Sequence, residues 1–382
     1  MENILILGST GSIGQNVIEV IKKGSKYNII GIAFNKNITK AIEQIEKLKP
    51  KYVYVGQLEY ISQLKNLFPY IEFFSQNELS ELIAKNDIDF VINAFVGSAG
   101  ILPSYYAIYY KKKFALANKE SLVVAGKILT ELAKKNKIEI VPIDSEHSAI
   151  YQCLEGKRQY LKKIILTASG GPFRLTDKER FESITKEMAL NHPKWNMGAK
   201  ITIDSATMMN KGFEIIEAGW LFDVDSKQIE VVVHKECIVH SAVELIDGSI
   251  IAQMATPDMK LPIAYALYKP DRIEFENKIS LIDIGTLTFE KPDLDKFELL
   301  ALAQDAFRKK DKNCGLLLNA ADEVCVEYFL QNKIKFTDIS KIIKKIMEDF
   351  EDKMPENIFD LQNQTQLIKK ETEKVIESLR RS

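Results

Sequence analysis

Short, largely apolar runs alternate with segments of helical period through the first third of the chain. The runs are Asn3 to Leu7, Tyr27 to Phe34, Tyr52 to Val55, Ile71 to Phe74, Phe90 to Ala94, Phe114 to Ala117 and Ile138 to Ile143. Strands covered on only one face would alternate apolar and polar residues. Continuous runs belong to strands covered on both faces, and helical segments between them make the strands parallel. The pattern predicts a Rossmann-like, doubly wound parallel sheet, ending near residue 144.

Beyond that point the pattern changes. Ile164 to Thr167, Ile201 to Ile203, Ile229 to Val233, Ile238 to Leu245 and Ser249 to Met254 read as strands, the later ones antiparallel, and Asp247-Gly248 as a hairpin turn. Thr176 to Glu179 reads as a capping box opening a helix with Phe181, Ile184 and Met188 on one face. Asp204 opens another helix running to about Phe222. From Phe297 onward the period is helical throughout, so the chain divides into an α/β domain over 1–144, an α+β domain over 145–278, a linker over 279–296 and an α-helical bundle over 297–382. Between the first two helices of the middle domain, Asn191 to Gly198 carries a histidine, a proline, a tryptophan and a glycine. It reads as a lid loop, within a mobile stretch at about 174–200.

Composition narrows the function classes. The 382 residues carry 52 basic and 53 acidic side chains, a formal charge of -1, which argues against nucleic acid as partner. Four scattered cysteines without a CxxC pair read as free thiols in a reducing compartment, so a cytoplasmic setting is expected. No window is apolar enough to span a bilayer, and no membrane association is expected.

Candidate chemistry gathers where strands end. Gly8-Ser9-Thr10-Gly11-Ser12-Ile13-Gly14 lies between the first strand and the first helix, where glycines let the backbone approach a pyrophosphate and the helix amides meet its charge. The second strand ends without the acidic residue that marks NAD sites. Asn35-Lys36-Asn37 stands there instead, a cation and two amides suited to a ribose 2'-phosphate, so NADP is expected. Lys119 follows another strand and is placed to bond a substrate oxygen. Asp144 and Glu146, two apart in chain read as extended, would present hard oxygens to one divalent cation, with Ser145 facing away.

In the middle domain Ser169-Gly170-Gly171 offers a hydroxyl and glycine amides to an oxyanion. A closing lid would bring His192 to a phosphate or hydroxyl and lay Trp195 over an alkyl backbone. Asn210 and Glu214 lie one helical turn apart with Lys211 beside them, a set for a small anion and its counter-ion, and Glu214 is the candidate third metal ligand. Three carboxylates without His or Cys favour Mg2+ or Mn2+, with Co2+ a third candidate, over zinc.

With these motifs in order, the chain resembles the 1-deoxy-D-xylulose 5-phosphate reductoisomerase family. The likeness rests on Gly8 to Gly14, Leu116 to Ser121, Asp144 to His147, Ser169 to Phe173, His192 to Trp195 and Asp204 to Glu214, and it runs the full chain. It implies metal binding by Asp144, Glu146 and Glu214, and substrate contacts from Ser145, Lys119, Ser169, His192, Ser205, Asn210 and Lys211. It further implies NADPH contacts at Thr10, Gly11, Ser12, Ile13, Lys36, Asn37, Asn118, Glu120 and Gly198, and a homodimer. Two departures stand out: Asn35 where the family often has glycine, and Asp322 where it usually has asparagine, the latter reading as outside the site.

The residues alone lead to an NADP- and metal-dependent reductase of a small phosphorylated hydroxycarbonyl compound. The resemblance implies more, a retro-aldol and aldol rearrangement followed by reduction to 2-C-methyl-D-erythritol 4-phosphate. Two other readings fit parts of the pattern: a plain NADP-linked dehydrogenase, and a dinucleotide-sensing module without catalysis. Chelation separates the first of these, because a plain dehydrogenase keeps its turnover in EDTA. The metal-dependent reading expects NADPH oxidation to stop in EDTA and to return with Mg2+ or Mn2+.

Overall fold

The computed structural model describes residues 1–195, 197–275, 278–309, 313–350 and 354–381, so the lid residue Asn196 lies outside the described residues. The chain forms two compact units. The first comprises Met1–Ser121, Leu129–Ser148 and Asp258–Glu276, and the second Leu122–Ile128, Ala149–Pro257 and Asn277–Ser382.

In the first unit the strands are β1 (Glu2–Leu7), β2 (Tyr27–Phe34), β3 (Tyr52–Val55), β4 (Glu72–Phe74), β5 (Phe90–Asn93), β6 (Lys113–Leu116) and β7 (Ile140–Pro142). The helices among them are α1 (Ser12–Lys22), α2 (Ile38–Leu48), α3 (Glu59–Leu67), α4 (Leu79–Ala84), α5 (Ile101–Tyr109) and α6 (Lys119–Asn136). Among the described residues these strands make a seven-stranded sheet in the order β4-β3-β2-β1-β5-β6-β7, parallel at every pairing. Ile4 to Leu7 are fully buried, as an unbroken apolar run requires of a central strand. The strand order reverses between β1 and β5, and such a reversal opens a ligand crevice at the strands' carboxyl ends.

One element of this unit was not legible locally. Helix α11 (Lys260–Tyr268), far along the chain, places Ile263, Ala264, Ala266 and Leu267 in the same core as Ile4 and Val17 of β1 and α1. Lys260 bonds Glu19 at 2.6 Å beside it.

The second unit holds a mixed sheet, β11-β10-β8-β9, built from β8 (Leu161–Ala168), β9 (Ile229–Val233), β10 (Val239–Leu245) and β11 (Ile250–Met254). β8 pairs in parallel with β9 and antiparallel with β10, so the expected antiparallel strands are joined by one parallel pairing. The Asp247-Gly248 turn forms as expected, with Gly248 at φ +86 and Asp247 accepting from the Ser249 amide at 2.9 Å. A helical layer follows in α13 (Glu298–Arg308), α14 (Cys314–Leu330), α15 (Phe336–Asp349) and α16 (Ile358–Arg381), matching the expected bundle; α12 (Leu281–Ile284) is a single turn before it.

Three local expectations fail in this unit. Thr176 to Glu179 forms no capping box; the chain makes a 3-10 turn at Lys178–Ser183 and then the short α8 (Lys186–Ala189), capped by Thr185. Phe181 and Ile184 are buried as expected, while Met188 is exposed, because the interruption puts it out of phase. Ile201 to Ile203 is helical, within α9 (Ala199–Ala206), where the Lys200–Asp204 ion pair spans one turn at 2.6 Å and outweighs a weak β-branched preference. The helix expected from Asp204 is also broken. α9 ends at Ala206, Met208 takes a left-handed φ of +62, and α10 (Met209–Phe222) starts afresh.

Close packing of α10 on α13 depends on small residues. A Cβ on Gly219 would lie 1.8 Å from the Phe307 ring, and one on Gly212 would lie 2.6 Å from Ala303 Cβ. Gly219→Val should therefore lower stability by about 1–3 kcal/mol through overpacking. Denaturant midpoints should show part of that loss restored in Gly219→Val with Phe307→Ala.

Candidate active site

The head of α1 carries the first part of the site. Gly8 has φ +86, and a Cβ there would lie 2.4 Å from the Ala94 carbonyl oxygen; a Cβ on Gly14 would lie 2.3 Å from the Gly8 carbonyl oxygen. Only glycine permits this loop to fold back so tightly at the β1/β5 reversal. Gly11 is the N-cap of α1 and makes no side-chain capping bond, so the first turn of the helix, after Thr10 and opening with Ser12 and Ile13, is an N-terminus suited to a pyrophosphate. Lys36 is exposed after β2, Asn37 caps α2 by accepting from the Lys40 amide at 3.0 Å, and Asn35 accepts from Gln57 at 3.1 Å. The extra side chain at Asn35 is thus tied sideways to Gln57.

The ends of β5 and β6 are locked by buried amides. Asn93 donates to the Gly100 carbonyl at 2.7 Å, and Asn118 donates to the Gly97 carbonyl and to Glu120, both at 2.9 Å. Asn118 also caps α6 by accepting from the Ser121 amide at 3.0 Å. Asn118 and Glu120, both expected near the dinucleotide, are thereby fixed against the loop that follows β5.

Lys119 starts α6, and its side chain is 6 % exposed with Nζ 2.7 Å from Asp144 Oδ2. Asp144 does not sit in extended chain. It precedes α7 (Ser145–Cys153), its carbonyl accepting from the Ser148 amide at 2.8 Å, so Glu146 lies in the first helical turn. The expected two-apart strand geometry is replaced by a helix start, in which Asp144 Oδ1 accepts from the Glu146 amide at 3.3 Å and lies 3.2 Å from His147 Nδ1. Ser145 does not face away; its hydroxyl donates to Glu146 at 2.6 Å. Burial alone would raise the Asp144 carboxyl, but the Lys119 ammonium and His147 outweigh it and hold the group well below the usual carboxylate range. Asp144 is a charged, preset oxygen donor.

In the second unit, Glu214 is 1 % exposed on α10. Asn210 donates to its Oε1 at 2.5 Å and buried Lys211 pairs with its Oε2. The Lys211 ammonium, expected to face an anion, here balances Glu214. The Asn210 amide oxygen is buried with no hydrogen-bond partner among the described residues, an acceptor left for a ligand hydroxyl.

The oxyanion turn has its expected form. Gly170 and Gly171 take φ +82 and +67, the Gly171 amide donates to Ser169 Oγ at 3.2 Å, and His192 Nε2 lies 3.2 Å from the same oxygen. His192 Nδ1 accepts from the Trp195 and Lys194 amides at 2.9 and 3.2 Å, which places the ring proton on Nε2. Burial lowers the pKa of this imidazole and keeps it a neutral donor. A Cβ on Gly171 would lie 2.6 Å from the Ser205 carbonyl, so Ser169, His192 and Ser205 come together. Trp195 lies 6.4 Å from the His240 ring, and Gly198 caps α9 at its exposed N-terminus. His240 lies in β10 as a sheet residue, and His234 accepts from the Ile238 and Val239 amides at 3.2 and 3.1 Å, a structural role.

Sequence reasoning passed over Gln44. It is buried on α2 and donates to the Ser9 carbonyl at 2.8 Å, bracing the glycine loop. Its one visible sign was a polar residue on the buried Ala41–Ile45 stripe.

The donor sets fit the groups the sequence implies. Asp144 and Glu214 offer hard oxygens that burial leaves in need of positive charge, and the bare head of α1 suits a dinucleotide. Comparison with known proteins shows the family. The family model for 1-deoxy-D-xylulose 5-phosphate reductoisomerase matches residues 4–126, that for its C-terminal domain matches 140–222, and a second C-terminal domain model matches 254–371. The chain is 48% identical to the 1-deoxy-D-xylulose 5-phosphate reductoisomerase of Pelodictyon phaeoclathratiforme, over 92% of this chain and 93% of that one. It is 47% identical to that of Bacillus subtilis, over 91% and 92%. A crystal structure of DOX-P reductoisomerase in complex with NADPH, fosmidomycin and magnesium superposes with a TM-score of 0.94 at 37% identity, over 99% of both chains. The enzyme from Zymomonas mobilis in complex with NADPH gives 0.91 at 34%, also over 99% of both. The protein belongs to the 1-deoxy-D-xylulose 5-phosphate reductoisomerase family.

Proposed function

We propose that the chain converts 1-deoxy-D-xylulose 5-phosphate to 2-C-methyl-D-erythritol 4-phosphate, with NADPH and a divalent cation, Mg2+ or Mn2+. Among the observations, the pairing of buried carboxylates with lysine ammonium groups, Asp144 with Lys119 and Glu214 with Lys211, carries the reading furthest. Such carboxylates stay ionised in a low-dielectric setting and are ready to exchange an ammonium for a metal ion. The relatives bound to NADPH and magnesium support the same cofactors.

When bound, NADPH supplies the hydride and the cation polarises the substrate's carbonyl and hydroxyl oxygens. Asp144, Glu146 and Glu214 are the proposed metal ligands. Lys119, displaced from Asp144, is placed to donate to a substrate oxygen at the β6 end. Ser169, His192, Ser205, Asn210 and Lys211 take the phosphate, His192 donating through Nε2, with Ser145 on the substrate and Trp195 covering its carbon chain. Gly8 to Ile13, Asn35 to Asn37, Asn118, Glu120 and Gly198 hold the dinucleotide. We also read the enzyme as a cytoplasmic homodimer. Four free, buried cysteines suit a reducing compartment, and the exposed Ile250 on edge strand β11 suits pairing with a second copy. Among the described residues, no helix is long and apolar enough to cross a membrane.

The test is product analysis by NMR after turnover with NADPH. A branched carbon skeleton is expected, and a reduced straight chain would overturn the reading. Glu214→Gln should cut kcat at least on the order of a hundredfold while NADPH affinity, read by fluorescence titration, is kept. Lys211→Ala should raise KM for the phosphorylated substrate about ten- to a hundredfold, the loss of one charge-assisted hydrogen bond. An unchanged KM would remove Lys211 from the phosphate site.

A further inference from the structure

Asp322 is fully buried on α14, and Lys200 Nζ bridges it to α9, lying 2.8 Å from Asp322 Oδ2 and 2.6 Å from Asp204 Oδ2. One ammonium thus serves two buried acids. Burial raises the Asp322 carboxyl above its ordinary range, although Lys200 pulls it down.

The consequence reaches the anion turn. Asp204 adjoins Ser205, whose carbonyl packs against Gly171, and the Gly171 amide in turn holds Ser169 Oγ at 3.2 Å. The geometry points to Asp322 as a positioning residue for phosphate recognition: through Lys200 and Asp204 it ties α9 to α14 and seats Ser205 against the Ser169–Gly171 turn. Asp322 therefore does not lie apart from the site, as the sequence suggested, although it touches no ligand. The inference rests on the phosphate role proposed for Ser169 and Ser205, so its test needs a readout that requires no substrate.

Hydrogen–deuterium exchange of the full-length protein provides one. Asp322→Leu, or Lys200→Met should the first fail to fold, is expected to speed exchange at Lys200 to Met208 and at Ser169 to Gly171, leaving α15 and α16 as in the wild type. Asp322→Asn can still accept from Lys200, and should exchange like the wild type. In turnover, Asp322→Leu should raise KM for the phosphorylated substrate about tenfold, with a smaller fall in kcat and an unchanged KM for NADPH. Unchanged exchange at α9 overturns the inference, and so does an Asp322→Asn variant as impaired as Asp322→Leu. Should exchange quicken while KM stays put, the tether stands and the phosphate role of Ser169 and Ser205 falls, which overturns the inference as a statement about recognition.

Discussion

Each half of the proposed chemistry rests on a carboxylate, little exposed to solvent, with a lysine ammonium group against it. Lys119 holds Asp144 at 2.7 Å, and Lys211 pairs with Glu214. Without such partners a buried acid would take up a proton and lose its value as a hard ligand. Lysine is also a partner that can leave. In the proposed site, its flexible stem would let the ammonium reach a substrate oxygen were the carboxylate to hold a cation. The same residues can thereby keep the site charged when empty and bind substrate when it is loaded.

The scaffold places these groups by ordinary means. β6 and β7 end beside each other in a parallel sheet, and the helices that follow them begin at Lys119 and Ser145. In the second unit, the left-handed residue Met208 ends one helix and lets α10 start afresh, which puts Asn210, Lys211 and Glu214 on its first turns. The glycines at 170 and 171 do the same for the oxyanion turn. Functional groups gather at the starts of helices because backbone amides and strand ends converge there.

Much of this was legible in the sequence. Short, largely apolar runs separated by helical segments mark the strands of the parallel sheet, since burial on both faces leaves few polar positions in them. What stayed hidden was set by contacts distant in the chain. Ile201 to Ile203 looks like a strand until Lys200 and Asp204 are seen to pair across a helical turn. The geometry of Asp144 and Glu146 follows from a helix start that the polar run Asp144 to His147 does not announce. α11 joins the first core from over a hundred residues away, and Asp322 meets Lys200 across a similar gap. Neither leaves a local pattern.

Asp144 and Glu214, proposed as ligands of a divalent cation, are open to a direct test. Titration of the metal-free protein with Mn2+, followed by electron paramagnetic resonance, provides it without any turnover. Wild type should show one saturable site, weakened strongly in Asp144→Asn and in Glu214→Gln. Equal Mn2+ binding by the wild type and both variants would contradict the account.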